Sequence, residues 1–318
     1  MKPGFASHYG HQLVQFLAYK HSLGLRYEEA QRTLQRFDRY VYRHQRHRKT
    51  RSPLDQLITG WLAQGPSRHP VTVANYLGVV RQFCLFRRRY DPKGFVPDRT
   101  WAPQSTESRF VPHVFTAQEI RQLLHQVKRL SCPTLGYTSI RLLVWVLYCT
   151  GLRFGEVARL TRGDLDLKQR LFLIRESKGR TRLVPFGADL ATAIKQYLKR
   201  RALTAGPANT PLLLSSRGRP LSRYTVSQTI RRLLRLAGLK PARGRQGPRP
   251  YDLRHAFAAH RLSRWYRRGI NVSLRLPWLS TYMGHRNILG TEKYLTTTPE
   301  LLALAVRRFA KHWGKGSR

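Results

Sequence analysis

Charge is the strongest constraint on this chain. It carries 59 lysines and arginines against 16 aspartates and glutamates, a formal net charge of +43 at pH 7. With so few acidic partners, most of these cations face outward, and the fold rests on apolar cores. The material for cores is present: 41% of the residues are hydrophobic and 11% aromatic. This excludes a disordered basic tail, which could not bury enough apolar surface to offset its ordering entropy. It also argues against an enzyme of small anionic metabolites, which needs a few cations in one pocket. A field of this size calls for a polyanion, and nucleic acid is the default. A membrane surface is the rival and fails on inspection. The longest apolar run, around Leu142–Leu152, is interrupted by Thr150 and falls short of the roughly 20 residues a span requires. Residues 1–20 have no signal-peptide core. Cys84, Cys132 and Cys149 are widely spaced and give neither a disulfide framework nor a zinc spacing. They read as small buried hydrophobes of a reducing interior.

At 318 residues the chain has room for two domains. Residues 1–110 carry +12 and residues 111–318 carry +31, so both halves are expected to meet the polyanion, as a C-shaped clamp would. Between them, Pro92, Pro97, Pro103 and Pro112 interrupt the helical pattern. This places a helical domain at 1–100, a linker at 101–113 and a second domain at 114–318. In the first, helices are expected over Tyr9–Ser22, Tyr27–His47 and Val71–Tyr90, with a break at Gly24. Arg32, Arg36, Arg39, Arg43 and Arg46 recur at steps of three and four on one helical face, and Arg87 and Arg88 end the third helix. All seven are candidates for phosphate contact. In the second, Thr116 and Glu119 form a capping-box pattern opening a helix to about Leu130. Thr138–Cys149 is apolar enough to be core. Leu171–Ile174 and Leu183–Phe186 read as two strands flanking residues 176–182. Further helices are expected at Ala188–Ala202, Ser222–Ala237 and Leu253–Arg268, and an amphipathic one at Leu301–Phe309 that packs either on its own domain or on a neighbouring protomer. The fold class is therefore mainly α with a small antiparallel β-sheet.

Chemistry on a polynucleotide needs a nucleophile and a means of holding phosphate charge. Carboxylates gripping a divalent metal are one solution, and here they are scarce. Asp164 and Asp166 form the nearest pair, in a position suited to capping and turning, with no third acid beside them. No metal or other cofactor is expected. Arginines are the other solution, since guanidinium groups pair bidentately with phosphate oxygens at any working pH. The nucleophile is then a side chain. A tyrosine leaves a phosphodiester of similar energy to the bond it replaced, so the break can be resealed without ATP.

Five segments fit this second solution in order. Residues 150–156 (TGLRFGE), 176–185 (ESKGRTRLVP), 251–258 (YDLRHAFA), 282–287 (YMGHRN) and 291–295 (TEKYL) together resemble the motif boxes of the tyrosine site-specific recombinases, the phage integrase family. Residues 24–27 and 71–86 resemble that family's N-terminal core-binding domain, so the likeness spans nearly the whole chain. Residues 277–302 look most like integrases and transposases of mobile elements. The resemblance implies an N-terminal core-binding domain and a C-terminal catalytic domain closing on double-stranded DNA. It also implies roles. Arg153 and Arg254 grip the scissile phosphate. Lys178 protonates the departing 5′-oxygen, with Arg180 as the alternative to it, though a poor proton donor, and as a DNA contact. His285 hydrogen-bonds the phosphate. Tyr294, nine residues after His285, is the nucleophile.

Tyr251 departs from the pattern, standing where the family usually has the histidine that helps take the nucleophile's proton. A tyrosine, with an ordinary pKa near 10, is a weaker base at neutral pH. His255, one helical step past Arg254, is expected to point elsewhere. Glu156 and Asp164 read as structural carboxylates, and Trp265, Trp278 and Tyr282 as core. The implied activity is site-specific recombination for integration or excision, with four protomers on paired sites, monomers or dimers off DNA, and partner recombinases as an option. Two alternatives remain: a DNA-binding accessory protein of the same fold, and a nicking-closing enzyme of the type IB topoisomerase kind.

Overall fold

The computed structural model describes residues 4–46, 50–64, 68–102, 111–130, 136–177, 180–201, 207–244, 246–292, 294–295 and 299–313. The chain divides into two compact units, residues 1–110 and 111–318. Each has its own apolar core.

The first unit is helical: α1 (Gly10–Ser22), α2 (Glu28–Gln45), α3 (Leu54–Ala63) and α4 (Pro70–Arg87). Gly24, at φ +73°, ends the turn after α1 where a side chain would be strained. His69 caps α4 by accepting the Val71 N–H, and Pro70 takes the first helical position, where its missing N–H is no loss. Leu13, Phe16, Leu34, Phe37, Val41, Leu57, Ile58, Val80 and Phe83 are wholly buried and form one core across all four helices. Helix α3 was not anticipated, because its ten residues carry a short apolar run that periodicity alone does not resolve. The proline-bearing residues after α4 fold back onto this unit. Phe95, Val96 and Ala102 pack on its core, and Arg81 Nε donates to the Pro97 carbonyl at 3.1 Å. Most of the expected linker, residues 103–110, lies outside the described residues.

The second unit contains α5 (Ala117–Gln126), α6 (Tyr137–Thr150), α7 (Phe154–Arg159), β1 (Leu165–Asp166), β2 (Leu171–Ser177), β3 (Arg180–Pro185), α8 (Ala188–Arg200), α9 (Arg223–Leu236), α10 (Asp252–Arg267), α11 (Val272–Met283), α12 (Leu289–Glu292) and α13 (Pro299–Trp313). The capping box opening α5 is complete: the Glu119 N–H donates to Thr116 Oγ1 at 3.1 Å and the Thr116 N–H to Glu119 Oε2 at 2.7 Å. The strands form one antiparallel sheet in the order β1-β2-β3, with an irregularity between Ile174 and Ser177. Helix α6 is the hub. Ile140, Leu143, Val144 and Val146 are wholly buried, which is why this run carries almost no polar face. A second apolar cluster joins α10, α11, Tyr294 and Leu301. Leu301 thus anchors α13 on its own unit, while Leu302, Val306 and Phe309 face outward.

Some burial differs from expectation. Trp278 is 64% exposed, with the Arg275 guanidinium 4.1 Å above its ring. The cation covers the indole in place of a core, an arrangement that solvent tolerates. Cys84 is buried and Cys149 half-buried, and Cys132 lies outside the described residues. No helix among the described residues is long and apolar enough to cross a membrane.

Candidate active site

Two helix ends and one helix start bring the site together. Helix α6 terminates at Gly151, whose φ of +61° suits the left-handed position after a helix. A Cβ there would also lie 2.6 Å from the Phe257 ring, so glycine is required twice over. Helix α11 terminates the same way at Gly284, φ +67°, where a Cβ would lie 2.7 Å from the Arg182 guanidinium. Both ends present carbonyls that have no partner within their own helix.

Arg254, in the first turn of α10, bridges these ends. Its Nη1 donates to the Gly151 carbonyl and its Nη2 to the Met283 carbonyl, each at 2.6 Å. The side chain is only 2% exposed, and its Nε has no hydrogen-bond partner. Arg153, just before α7, donates from Nη2 to the Gly284 carbonyl at 2.7 Å and from Nη1 to Glu156 Oε1 at 2.8 Å. Glu156 also accepts the Arg153 N–H at 2.8 Å, so it both opens α7 and orients Arg153. Its second cationic partner is Arg182 of β3, which pairs with it bidentately at 3.1 and 2.9 Å and donates to the Tyr282 carbonyl at 2.7 Å. Ser177 completes the carboxylate's set of donors. Burial pushes the Glu156 carboxyl up, but the hydrogen bonds and charge of Arg182, with those of Ser177 and the Arg153 N–H, outweigh it and hold the group at about 2.

Two guanidinium groups, Arg153 and Arg182, therefore share one carboxylate, with the carbonyl-held Arg254 beside them, and the excess charge of the site is positive. Tyr294 stands against this cluster, 4% exposed. Burial raises its hydroxyl above the ordinary value, opposed by Arg254, which hydrogen-bonds it, and by Arg153. His285 follows Gly284 directly. Its Nε2 lies 3.1 Å from Arg254 Nη2 and its Nδ1 2.7 Å from Thr291 Oγ1. Its ring centroid is 6.0 Å from that of Tyr294. Arg153, Arg254, His285 and Tyr294 thus meet in one place. Tyr251 lies at its edge, 38% exposed, with its ring against Phe154 and His255. Lys178 lies outside the described residues. Arg180 is exposed and donates to the His285 carbonyl at 3.4 Å.

One expectation is overturned. His255 does not point away: its ring is 5.2 Å from that of Tyr294 and 5.4 Å from that of Tyr251. Tyr251 already has helical dihedrals, φ −68° and ψ −19°, so His255 lies one turn beyond it on the same face of α10, and its 100° step from Arg254 does not carry it away from Tyr294. Burial lowers the His255 pKa to about 4, and its Nδ1 has no partner. It is a neutral wall of the tyrosine's pocket. Sequence reasoning also missed Arg182 and Thr291. The only local signal for Thr291 is its place one helical turn before Tyr294.

In the first unit the α2 arginines separate. Arg36, Arg39 and Arg43 line a cavity of about 400 Å³ with Trp61 and Arg68. Arg46 lines a different cavity, with Arg51 and His8. Arg32 pairs with Glu29 at 3.1 Å. Arg87 donates to Gln12 at 2.8 Å, and Arg88 to the Gly94 carbonyl at 3.1 Å, so both brace their own unit. Among the described residues no group of three His, Cys, Asp or Glu side chains is placed to hold a metal ion.

Comparison with known proteins decides the family. The phage integrase family matches residues 113–300. The chain belongs to the phage integrase family of tyrosine recombinases. The y4rB protein of Sinorhizobium fredii is 34% identical to it over 95% of this chain and 97% of its own length. The tyrosine recombinase XerA of Pyrococcus furiosus is 30% identical over 62% of each chain. Among solved structures, the Tn1549 transposon integrase in complex with circular intermediate DNA shares the integrase fold, with a TM-score of 0.66 at 19% identity over 94% of this chain and 99% of that one.

Proposed function

We propose that this integrase-family chain cuts and rejoins double-stranded DNA at specific sites through a 3′-phosphotyrosyl intermediate. One observation carries the reading: guanidinium groups in excess of carboxylate surround the buried hydroxyl of Tyr294, and the buried Arg254 Nε is unpartnered. A phosphodiester is the anion that fits such a cluster. Arg153 and Arg254 hold its non-bridging oxygens and stabilise the charge that grows on the pentacoordinate phosphorus. Tyr294 attacks phosphorus. The 5′-oxygen leaves as a hydroxyl, protonated by Lys178.

The 5′-hydroxyl of a partner strand then attacks the phosphotyrosine, forming a four-way junction. Two protomers on each site and four in the synapse supply the four strand transfers. This chemistry conserves bond energy and calls for no metal or nucleotide cofactor. The likeness of residues 277–302 to mobile-element integrases supports integration and excision as the role. The cation-lined cavity at Arg36, Arg39, Arg43 and Arg68 in the first unit supports a second contact with the DNA backbone.

A second reading is favoured by Tyr251 alone: a chain of this fold that binds DNA without cutting it. The test is covalent trapping. Wild type and Tyr294→Phe are incubated with nicked duplexes drawn from the DNA flanking the coding region, with EDTA, and run on a denaturing gel. An EDTA-resistant adduct that is lost in the variant supports the recombinase. Salt-sensitive binding to those duplexes with no adduct supports the second reading.

A further inference from the structure

The proton of Tyr294 needs an acceptor. Tyr251 stands half-exposed at the edge of the site, its ring against Phe154 and His255. The His285 ring lies beside that of Tyr294, and its tautomer can be read from its neighbours. Arg254 Nη2 lies 3.1 Å from His285 Nε2, and a guanidinium has only donors. Nε2 therefore presents a lone pair, and the ring proton of a neutral His285 sits on Nδ1. Nδ1 meets Thr291 Oγ1 at 2.7 Å, a hydroxyl able to accept that proton. Thr291 is wholly buried in α12, and its carbonyl accepts the Tyr294 N–H at 3.0 Å. One residue thus holds the imidazole with its side chain and the nucleophile with its backbone. A Cβ at Gly290 would lie 3.2 Å from His285 Cγ, so the ring is confined there too.

We propose that His285, fixed by Thr291 with its proton on Nδ1, is the group that accepts the proton of Tyr294, and that Thr291 is the positioning residue of this pair. The inference rests on Tyr294 being the nucleophile. The two rings lie 24° from parallel, 6.0 Å between centroids. An arriving phosphate draws the Arg254 N–H groups to itself and releases the Nε2 lone pair toward the site. The Tyr294 proton passes to Nε2, the phenolate oxygen bonds to phosphorus, and the bond from phosphorus to the 5′-oxygen breaks. The leaving oxygen is protonated by the general acid assigned above. In resealing, the attacking 5′-hydroxyl returns its proton to that general acid, its oxygen bonds to phosphorus, and the tyrosine oxygen leaves and recovers its proton from Nε2. The Nδ1 proton stays on the ring throughout, donated to Thr291 Oγ1.

The charges facing His285 define its task. Arg254 approaches from α10, Arg180 from β3 reaches its carbonyl, and Arg153 binds the adjacent Gly284 carbonyl. Glu156 is engaged by Arg153 and Arg182, and Glu292 on α12 is exposed. The imidazolium formed in the reaction therefore leans on Thr291 and on the phosphate itself.

The full chain tests this as wild type, Thr291→Val and Thr291→Ser. Nitrogen NMR of histidine-labelled protein without DNA, with the signal assigned by its loss in His285→Gln, should show His285 protonated on Nδ1. Adduct formation on the nicked flanking duplexes is then followed against pH. Thr291→Val should slow it roughly tenfold, the scale of one lost hydrogen bond, and move the acid limb to lower pH. Thr291→Ser should recover most of the rate and the wild-type limb. A proton on Nε2 in the free protein overturns the proposal, as does a Thr291→Val protein with unchanged rate and unchanged acid limb. If wild type forms no adduct, the recombinase reading fails, and the tautomer measurement still decides the assignment to Thr291.

Discussion

Replacing Glu156 by glutamine removes the anion that Arg153 and Arg182 share while keeping shape and volume. Its carboxyl is held at about 2, against an ordinary 4.5. Through linkage, that difference corresponds to about 3 kcal/mol of folding free energy. The depressed value fixes the sign. The contribution is fully present above the unfolded-state value and fades as pH falls toward the folded-state one, so roughly 1 kcal/mol is left near pH 3. Glu156→Gln should therefore destabilise the second unit by about 3 kcal/mol at neutral pH, in the range for breaking one side of a buried ion pair. The deficit should shrink to about 1 kcal/mol near pH 3. Urea unfolding of the full chain, with the transitions of the two units fitted separately, measures both quantities. A deficit below about 1 kcal/mol at pH 7, or one that does not shrink on acidification, would refute the claim that this carboxylate anchors the arginine cluster.

Other perturbations follow from the same geometry. Gly284→Ala forces an L-residue to positive φ and drives its Cβ against Arg182, so it should cost about 1–3 kcal/mol by thermal unfolding and slow adduct formation. His255→Phe keeps the ring against Tyr294 but removes a group held at about 4. The variant should lose the part of the stability decline, up to about 3 kcal/mol, that wild type shows as pH falls from about 6.5 toward 4. Leu143→Ala opens a cavity at the wholly buried centre of α6 and should cost about 2–5 kcal/mol by urea unfolding. Arg39→Ala and Arg68→Ala should each weaken binding to unrelated duplexes about equally and reduce the slope of log affinity against log salt by roughly 1, by fluorescence anisotropy.

What was legible in the sequence depended on locality. Helices α2, α4, α5 and α10 declare themselves by apolar spacing, by a capping box, or by proline and glycine at their ends. The hairpin shows as two short apolar runs around a basic turn. Helices α3, α7 and α11 were not legible: α3 is short, α7 has six residues, and α11 contains Pro277 and exposes Leu274 and Trp278. The motif boxes named Arg153, Arg254, His285 and Tyr294 because each sits in a distinctive local string. Arg182 and Thr291 were missed because their meaning is tertiary. Arg182 matters through Glu156 and Gly284, which only the folded chain brings beside it. His255 reads as turned away when judged only by its 100° step from Arg254; its neighbour Tyr294 is brought against it only by the folded chain.

Identifying the atom that carries the DNA tests the central claim most directly. Adduct formed on the nicked duplexes is digested with nuclease and protease, and the modified peptide is sequenced by mass spectrometry. The phosphate should sit on Tyr294, with a 5′-hydroxyl on the released strand. Phosphate on Tyr251 or on any other residue, or a free 3′-hydroxyl with no linked peptide, would contradict it.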